Sequence, residues 1–387
     1  MIVISDPARC CGCSACASIC GKKAITMQPD ALGFLYPKVD TQKCVDCGLC
    51  EKVCAFSDNY DTSSNLYEPK VYAVRHRKMG EIAKSRSGAV FAALSDWVLE
   101  HGGVVYGAGF VNHFRVAHKR AVTREQRDEF RGSKYVQSDM GSIFLDVADD
   151  LRNGLTVLFT GTPCQTSGLI SFLKLKRISL NSLYVADIVC HGVPGPFIWR
   201  DYLAYVERKY GDTVLGVSFR DKKEFGWEAH KESFTFKGGK KCKSTYAYMF
   251  NQCIMFRHSC GQCHFTNLRR PSDITLADFW GWQNLDKNFN ADDKGVSLVL
   301  LNTGKGLHLF ENVKSQLDIR EADTKVCLQP NLLHPSEIHP LRQTLEEDYA
   351  KHGFLYVARK YGDMGWRYRV KLLKRKCRMA IRLILKR

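Results

Sequence analysis

From Val71 onward, short apolar runs alternate with segments whose apolar residues recur at helical spacing. Runs near Val71–Val74, Val104–Ala108, Thr156–Phe159, Leu183–Val189, Val214–Phe219, Phe234–Phe236, Ile274–Ala277 and Val296–Leu301 predict strands. The stretches Ala89–Glu100, Ser142–Arg152, Pro196–Tyr210, Thr245–Phe256 and Leu307–Gln316 predict helices. Alternation over this length predicts an α/β body, a mixed sheet covered by helices. The first 56 residues lack this texture, and the polar run from Ser57 to Asn65 reads as a linker.

Composition changes this picture in one respect. Of 387 residues, 45% are hydrophobic and 25% charged, an ordinary globular balance, but 17 are cysteines, nine of them within the first 54 positions. No stretch approaches the roughly 20 apolar residues of a membrane-spanning helix. The start has no basic-then-apolar signal pattern, so a cytoplasmic protein is expected, where thiols stay reduced. The cysteines therefore call for metal.

Their spacing says which. Cys10-x2-Cys13-x2-Cys16-x3-Cys20 recurs as Cys44-x2-Cys47-x2-Cys50-x3-Cys54. This is the bacterial ferredoxin pattern, in which three close thiolates hold one iron–sulfur cluster and the fourth ligates the other. The expected ligand sets are Cys10, Cys13, Cys16 and Cys54 for one 4Fe-4S cluster, and Cys44, Cys47, Cys50 and Cys20 for the second. The usual proline after each fourth cysteine is replaced by Gly21 and Ala55, which removes no ligand. A zinc ribbon would use two pairs rather than two runs of four. Cys11 is left over and reads as a packing thiol.

Downstream stand Ser85-Arg-Ser-Gly-Ala89, Arg131-Gly-Ser-Lys-Tyr-Val-Gln-Ser138, Phe159-Thr-Gly-Thr-Pro-Cys-Gln165, Val189-Cys-His-Gly-Val-Pro194, Ser218-Phe-Arg-Asp-Lys222, Gly226-Trp227, Cys260-x2-Cys263 and Ser272-Asp-Ile-Thr-Leu-Ala-Asp-Phe-Trp-Gly281. In this order, behind a dicluster ferredoxin segment, they resemble the coenzyme F-420 hydrogenase/dehydrogenase beta-subunit family over roughly residues 1–300. The resemblance implies an iron–sulfur flavoprotein that binds FAD and passes electrons between clusters and a two-electron carrier, in the best-known members the deazaflavin F-420. Relatives of this fold reduce other substrates through ferredoxin. Ala89 departs from the commoner Ser-Gly-Gly, and residues beyond about 304 carry no diagnostic motif.

The residues fit that chemistry. A cluster moves one electron and a hydride carrier two, so a flavin is the natural converter. Thr160, Gly161 and Thr162 follow an apolar strand, where an open sheet presents ligand loops. Ser87 and Gly88 precede a helix whose N-terminal amides suit phosphate. Lys134 and Tyr135, in a glycine-flanked loop, are candidates for the flavin ring or pyrophosphate, and Asp278 for orienting a ligand. Singly, these segments also read as ordinary turns and N-caps. Cys164, Cys190, Cys260 and Cys263 form a candidate third 4Fe-4S quartet, against buried free thiols or a zinc site with His191 or His264. Cys242, Cys253, Cys327 and Cys377 show no partner pattern. His191 reads as a structural histidine or a proton relay, and Arg220 and Lys222 as partners of an anion or as a solvated edge.

The formal charge is +17, and ten of the 57 Lys and Arg lie in the last 24 residues, which contain no acid. Val370, Leu373, Cys377, Ala380 or Ile381, and Ile384 fall near one helical face there, so residues 364–387 read as a basic amphipathic tail that binds a membrane surface peripherally or packs on protein. A second basic run, Arg115, His118, Lys119, Arg120, Arg124, Arg127, Arg131 and Lys134, reads as a steering patch for an acidic cofactor or ferredoxin, or as an exposed helix face. No nucleic-acid motif is present, so none is expected as partner. The expected organisation is an α+β chain: a ferredoxin-like domain at 1–56, a linker at 57–70, a flavin-binding α/β domain at 71–345 and the tail. Its expected activity is electron exchange between clusters and a flavin that trades a hydride with F-420 or a similar carrier. The alternatives are a ferredoxin-dependent reductase of another substrate, such as one in cell-surface polysaccharide metabolism, and a non-catalytic subunit of a larger complex.

Overall fold

The computed structural model describes residues 1–56, 60–366, 368, 370 and 372. The basic tail, Cys377 included, lies almost wholly outside the described residues. Two short strands, β1 (Ile25–Pro29) and β2 (Leu35–Val39), pair antiparallel within the cysteine-rich segment. They are followed by β3 (Asn65–His76), β4 (Val104–Val111), β5 (Arg115–Ala121), β6 (Val157–Gly161) and β7 (Leu183–Ile188). Then come β8 (Gly216–Ser218), β9 (Glu232–Phe236), β10 (Gly239–Lys243), β11 (Ile274–Asp278), β12 (Ser297–Thr303) and β13 (Leu317–Ala322).

Eight strands form one mixed sheet in the order β13-β3-β12-β11-β7-β6-β4-β5. Its centre, β4-β6-β7-β11, is parallel, and both flanks are antiparallel. The helices Ile143–Arg152 and Pro163–Leu175 connect β5 to β6 and β6 to β7. The central strands are buried on both faces, which is why Val157-Leu-Phe and Val299-Leu-Leu read as continuous apolar runs. Strands β8, β9 and β10 form a small antiparallel sheet beside an aromatic core around Trp199, Tyr202 and Phe234. The fold is thus α+β, with all eight strands expected from the apolar runs present.

Three expectations change. Strand β3 begins at Asn65, inside the expected linker. The Thr-Gly-Thr-Pro segment is not a free loop: Thr162 caps the helix Pro163–Leu175, with Pro163 in its first turn. The second basic run is no patch either. Arg115 to Ala121 is the edge strand β5, and its cations are paired, Arg115 with Asp139, Lys119 with Glu129 and Arg120 with Asp150. Arg124 and Arg127 share Asp96, and Arg131 meets Glu81 and Asp128. Charged side chains on an edge strand block further pairing. His118 is buried inside the sheet.

The cysteine-rich segment packs onto the sheet body. Phe56, Ile19 and Val53 share a core with Phe144, Leu169 and Phe172. Among the described residues no helix is long and apolar enough to cross a membrane.

Candidate redox site

The two ferredoxin-like repeats match in backbone as well as spacing. Gly12 and Asp46, each two residues after a first cysteine, have φ of +71° and +48°. Ser14 and Gly48, each following a second cysteine, have φ of +64° and +71° and precede the helical turns that carry Cys16 and Cys50. Left-handed residues at matched positions wrap each loop around a point and turn its amides inward.

The fold brings Cys54 to the first run. Burial, then the neighbouring thiols of Cys13, Cys10 and Cys54, pushes the Cys16 thiol far up, and burial followed by Cys13 raises Cys54 to about 11. In the other set, backbone N–H groups donate to sulfur: Ile2 to Cys50 at 3.3 Å, Ala24 to Cys20 at 3.3 Å and Asp46 to Cys44 at 3.4 Å. Such donors stabilise thiolate ligands. Cys47 is exposed, so this set lies nearer the surface.

Cys164, Cys190, Cys260 and Cys263, spread over 100 positions of the chain, line one small internal cavity together with Cys11. Each sits where a backbone feature holds it. Cys164 is in the first turn of the helix Pro163–Leu175, Cys190 just past β7, and Cys260 in a 3-10 turn whose last residue precedes Cys263. Burial, then Cys260, Cys164 and Cys263, pushes Cys190 well up. Burial raises Cys260 and Cys263 to about 12 each, with the other thiols adding to it. A hydrogen bond with Cys11 lowers Cys164 to about 7, against burial and with help from Thr162. Three thiols that resist ionisation through burial and mutual repulsion, beside a fourth that ionises readily, suit a cationic metal centre, which removes both penalties. Among the described residues no three His, Cys, Asp or Glu side chains converge on a single-ion position. Thiolates on different irons of one cube stand wider apart than ligands sharing one ion.

Arg257, fully buried, joins the two cysteine regions. Its guanidinium donates to the Cys10 carbonyl at 2.7 Å, the Cys10 sulfur at 3.5 Å, the Leu35 carbonyl at 3.0 Å and Gln137 Oε1 at 3.0 Å. Gln137 in turn donates to the Cys11 carbonyl at 2.8 Å. Gln137 lies in one of the quoted motifs, and nothing in the sequence pattern singles Arg257 out.

Beside the quartet opens a cavity of about 630 Å³, at the carboxyl ends of β6, β7 and β11. Seven of the eight expected cofactor residues line it: Ser87, Lys134, Tyr135, Thr160, Gly161, Thr162 and Asp278. Gly88 instead stands behind the wall, its N–H donating to Ser297 Oγ at 2.9 Å, and a Cβ there would meet the Val74 carbonyl at 2.0 Å. The Ser87 hydroxyl donates to the Val296 carbonyl at 2.6 Å, so this pair anchors the loop to β12 rather than offering free phosphate donors. The next residue, Ala89, is buried with φ of +68°, a conformation glycine adopts without cost.

Lys134 is also occupied. Its ammonium donates to the carbonyls of Glu129 at 2.6 Å, Arg131 at 2.9 Å and Gly132 at 3.3 Å, closing the loop, and burial lowers it to about 7. The Thr160 hydroxyl donates to the Tyr106 carbonyl at 2.8 Å. Asp278 accepts from Arg220 at 2.7 Å. His191 lines both cavities, with Nδ1 3.1 Å from Asn331 Oδ1 and Nε2 3.5 Å from Cys253 Sγ.

A hydrogen-bonded chain runs along one wall. Gln165 donates to Ser138 Oγ at 2.9 Å, Ser138 meets His118 Nδ1 at 2.9 Å, and His118 Nε2 meets the Thr160 carbonyl at 3.0 Å. Burial lowers His118 to about 4, so it is neutral. Ser138 and Gln165 end two of the sequence motifs quoted above, whereas the period-2 alternation of Val116 and His118 was the signal for the buried histidine. On the floor, Asp187 and Arg270 form a buried pair at 3.0 Å, and Asp187 Oδ1 has no hydrogen-bond partner among the described residues. Unpartnered buried polar atoms in a cavity of this size fit a polar cofactor such as FAD.

Residues 9–57 match the family described as 4Fe-4S dicluster domain, and residues 154–325 match the family described as the C terminus of the Coenzyme F420 hydrogenase/dehydrogenase beta subunit. No curated protein matches the chain. A solved chain of the F420-reducing NiFe hydrogenase complex from Methanosarcina barkeri is similar at 17% identity, covering 74% of this chain and 89% of that one, with a TM-score of 0.43. The dicluster spacing, followed by the matched segment that carries Cys164, Cys190, Cys260 and Cys263, makes this an iron–sulfur protein related to the coenzyme F420 hydrogenase/dehydrogenase beta subunit.

Proposed function

We propose that the chain is an iron–sulfur flavoprotein oxidoreductase that passes electrons between three 4Fe-4S clusters and an FAD in the 630 Å³ cavity, with a hydride exchanged with F-420 or a similar two-electron carrier. A bound flavin supplies the conversion between single electrons and a hydride. The observation that carries this reading is continuity. Cys11 lies against Cys13 on one side and Cys164 on the other, and Thr162, Cys190, His191 and Val193 line both the quartet's cavity and the larger one.

Each protein group has a task in it. Cys10, Cys13, Cys16 and Cys54 hold one cluster, Cys44, Cys47, Cys50 and Cys20 the second, and the buried quartet the third. The exposed Cys47 puts the second cluster within reach of a docking ferredoxin or of a neighbour in a larger complex. Arg257 offsets thiolate charge at the junction, and the Phe56, Phe144 and Phe265 core keeps water from the sulfurs. The loops after β6, β7 and β11 hold the flavin. In this reading residues 1–56 form the cluster domain and 71–345 the flavin domain.

Anaerobic purification with iron and flavin counted per chain tests it. About twelve irons and one flavin are expected. The double variant Cys260→Ser/Cys263→Ser should lower iron by a third. An iron count of about eight, unchanged in that variant, removes the third cluster. A chain without flavin removes the oxidoreductase reading. Reduced F-420 should bleach the flavin. Bleaching by reduced ferredoxin alone would move the assignment to a ferredoxin-dependent reductase.

A further inference from the structure

One stretch of the large cavity's wall is built for charge rather than for a hydride. Arg86 and Arg220, with side chains 11% and 5% exposed, share a single carboxylate, Asp278. Arg220 donates to Asp278 Oδ2 at 2.7 Å, whereas Arg86 Nε stands 3.8 Å from the same oxygen, too far for a hydrogen bond. Arg86 uses Nη2 on the Trp227 carbonyl, and its Nε and Nη1 are buried with no partner among the described residues. Behind them Lys222 adds a third cationic side chain, its Nζ held by the carbonyls of Ile82 and Lys294 at 2.7 Å. The next acid, Asp293, already accepts the Trp227 N–H at 3.3 Å.

The two arginines lie at one edge of an aromatic surface. Trp280 lines the cavity and stacks on Trp227 with centroids 4.8 Å apart and planes at 22°. It stays 41% exposed, and the Arg220 guanidinium lies over its ring at 5.6 Å. Arg86 lines the cavity, and a planar guanidinium with two unpartnered N–H groups matches an oxyanion in a way that a lysine does not. Leaving such donors unpaired in a buried site is costly, and an anion entering the cavity removes that cost.

We propose that Arg86 and Arg220 form an oxyanion subsite of this cavity, taking a phosphate or carboxylate group whose attached planar ring lies on Trp280. Asp278 is then a positioning residue: it holds Arg220 in place and leaves the Arg86 fork for the ligand. Two sources carry this chemistry, the pyrophosphate of the FAD proposed above and the anionic group of the substrate. Only the choice between them rests on the proposed function, because the subsite itself requires neither clusters nor turnover.

Calorimetric titration of the full chain with inorganic pyrophosphate, in flavin-loaded and flavin-stripped form, tests it. Saturable binding is expected, weakened at least tenfold in Arg86→Gln, with iron per chain unchanged. Binding to the stripped form alone, competitive with FAD, identifies the cofactor's phosphates. Binding with flavin in place, perturbing its absorbance, identifies the substrate's anion. Arg86→Lys keeps the charge but loses the fork and should also bind more weakly, which covers the case in which the glutamine variant fails to fold. Absence of saturable binding in both forms of the wild type, or wild-type affinity in the folded Arg86 variants, overturns the proposal. Loss of iron without loss of pyrophosphate binding would count against the cluster assignment and leave the subsite standing.

Discussion

Gly168 sits in the middle of the helix Pro163–Leu175, where glycine is a poor choice for helix formation, and the reason is Cys13. A Cβ at position 168 would lie 2.9 Å from Cys13 Sγ and 3.2 Å from Cys13 Cβ. Two effects of Gly168→Ala oppose each other. The helix alone gains up to about 1 kcal/mol, since alanine restricts the unfolded chain and glycine does not. The overlap forces Cys13 or the helix to shift, at about 1–3 kcal/mol for an extra buried methyl in a packed interior. In the proposed function the sulfur cannot simply rotate away, because Cys13 would be a cluster ligand in a loop shaped by the left-handed Gly12 and Ser14. Strain should therefore win by up to about 2 kcal/mol. The effect should also be selective, with the Cys10, Cys13, Cys16 and Cys54 cluster lost before the rest of the chain unfolds. Iron per chain after anaerobic purification should fall by about a third, and thermal unfolding should begin lower than in the wild type. A Gly168→Ala protein that keeps its full iron and melts higher would refute the reasoning, since helix propensity would then outweigh the contact.

Other perturbations read other parts of the site. Removing Asp187 leaves Arg270, 1% exposed, without its counter-charge, so Asp187→Ala should lose about 3–5 kcal/mol in denaturant unfolding, and Asp187→Leu/Arg270→Met much less. His118 sets a pH dependence. Its folded value, lowered to about 4 by burial, lies below the ordinary 6.5, so the unfolded chain takes up the proton first as pH falls. Its contribution is therefore intact above pH 6.5, shrinks from 6.5 to 4 and is gone below that, a change of about 3 kcal/mol. His118→Gln should flatten the stability curve over that range, and an unchanged slope would show that the imidazole is not buried neutral.

Several parts of the molecule were legible without the fold, each for a local reason. The ferredoxin-like ligands follow from spacing, because three thiolates within seven residues reach one cluster whatever the rest of the chain does. The central strands follow from continuous apolar runs such as Val157-Leu-Phe, which a sheet buried on both faces requires. Strand β5 was hidden because its solvent face carries Arg115, Lys119 and Arg120, and the two residues that define its alternation, Val116 and His118, are too few to stand out. The helix Pro163–Leu175 was hidden because Gly168 and a run of Thr and Ser lower its propensity, so Thr-Gly-Thr-Pro passed for a loop when it is an N-cap. Lys134 looked like a ligand contact, and its ammonium instead closes its own loop.

What the sequence determined by itself is the chemistry available: the two matched cysteine runs, and the stock of thiols and loops that family resemblance marks for redox work. What only the tertiary structure decided is which of these meet. Cys164 and Cys190 meet because β6 and β7 are parallel neighbours whose following segments emerge on the same edge of the sheet, and the 3-10 turn ahead of β11 brings Cys260 and Cys263 to the same cavity. The same edge collects Thr160, Asp187 and Asp278 around the larger cavity, and Arg86 reaches it from beyond β3 with two donors to spare. Spacing along a chain controls ligands only within a turn or two. Beyond that, strand order controls them, and strand order is a property of the packed sheet.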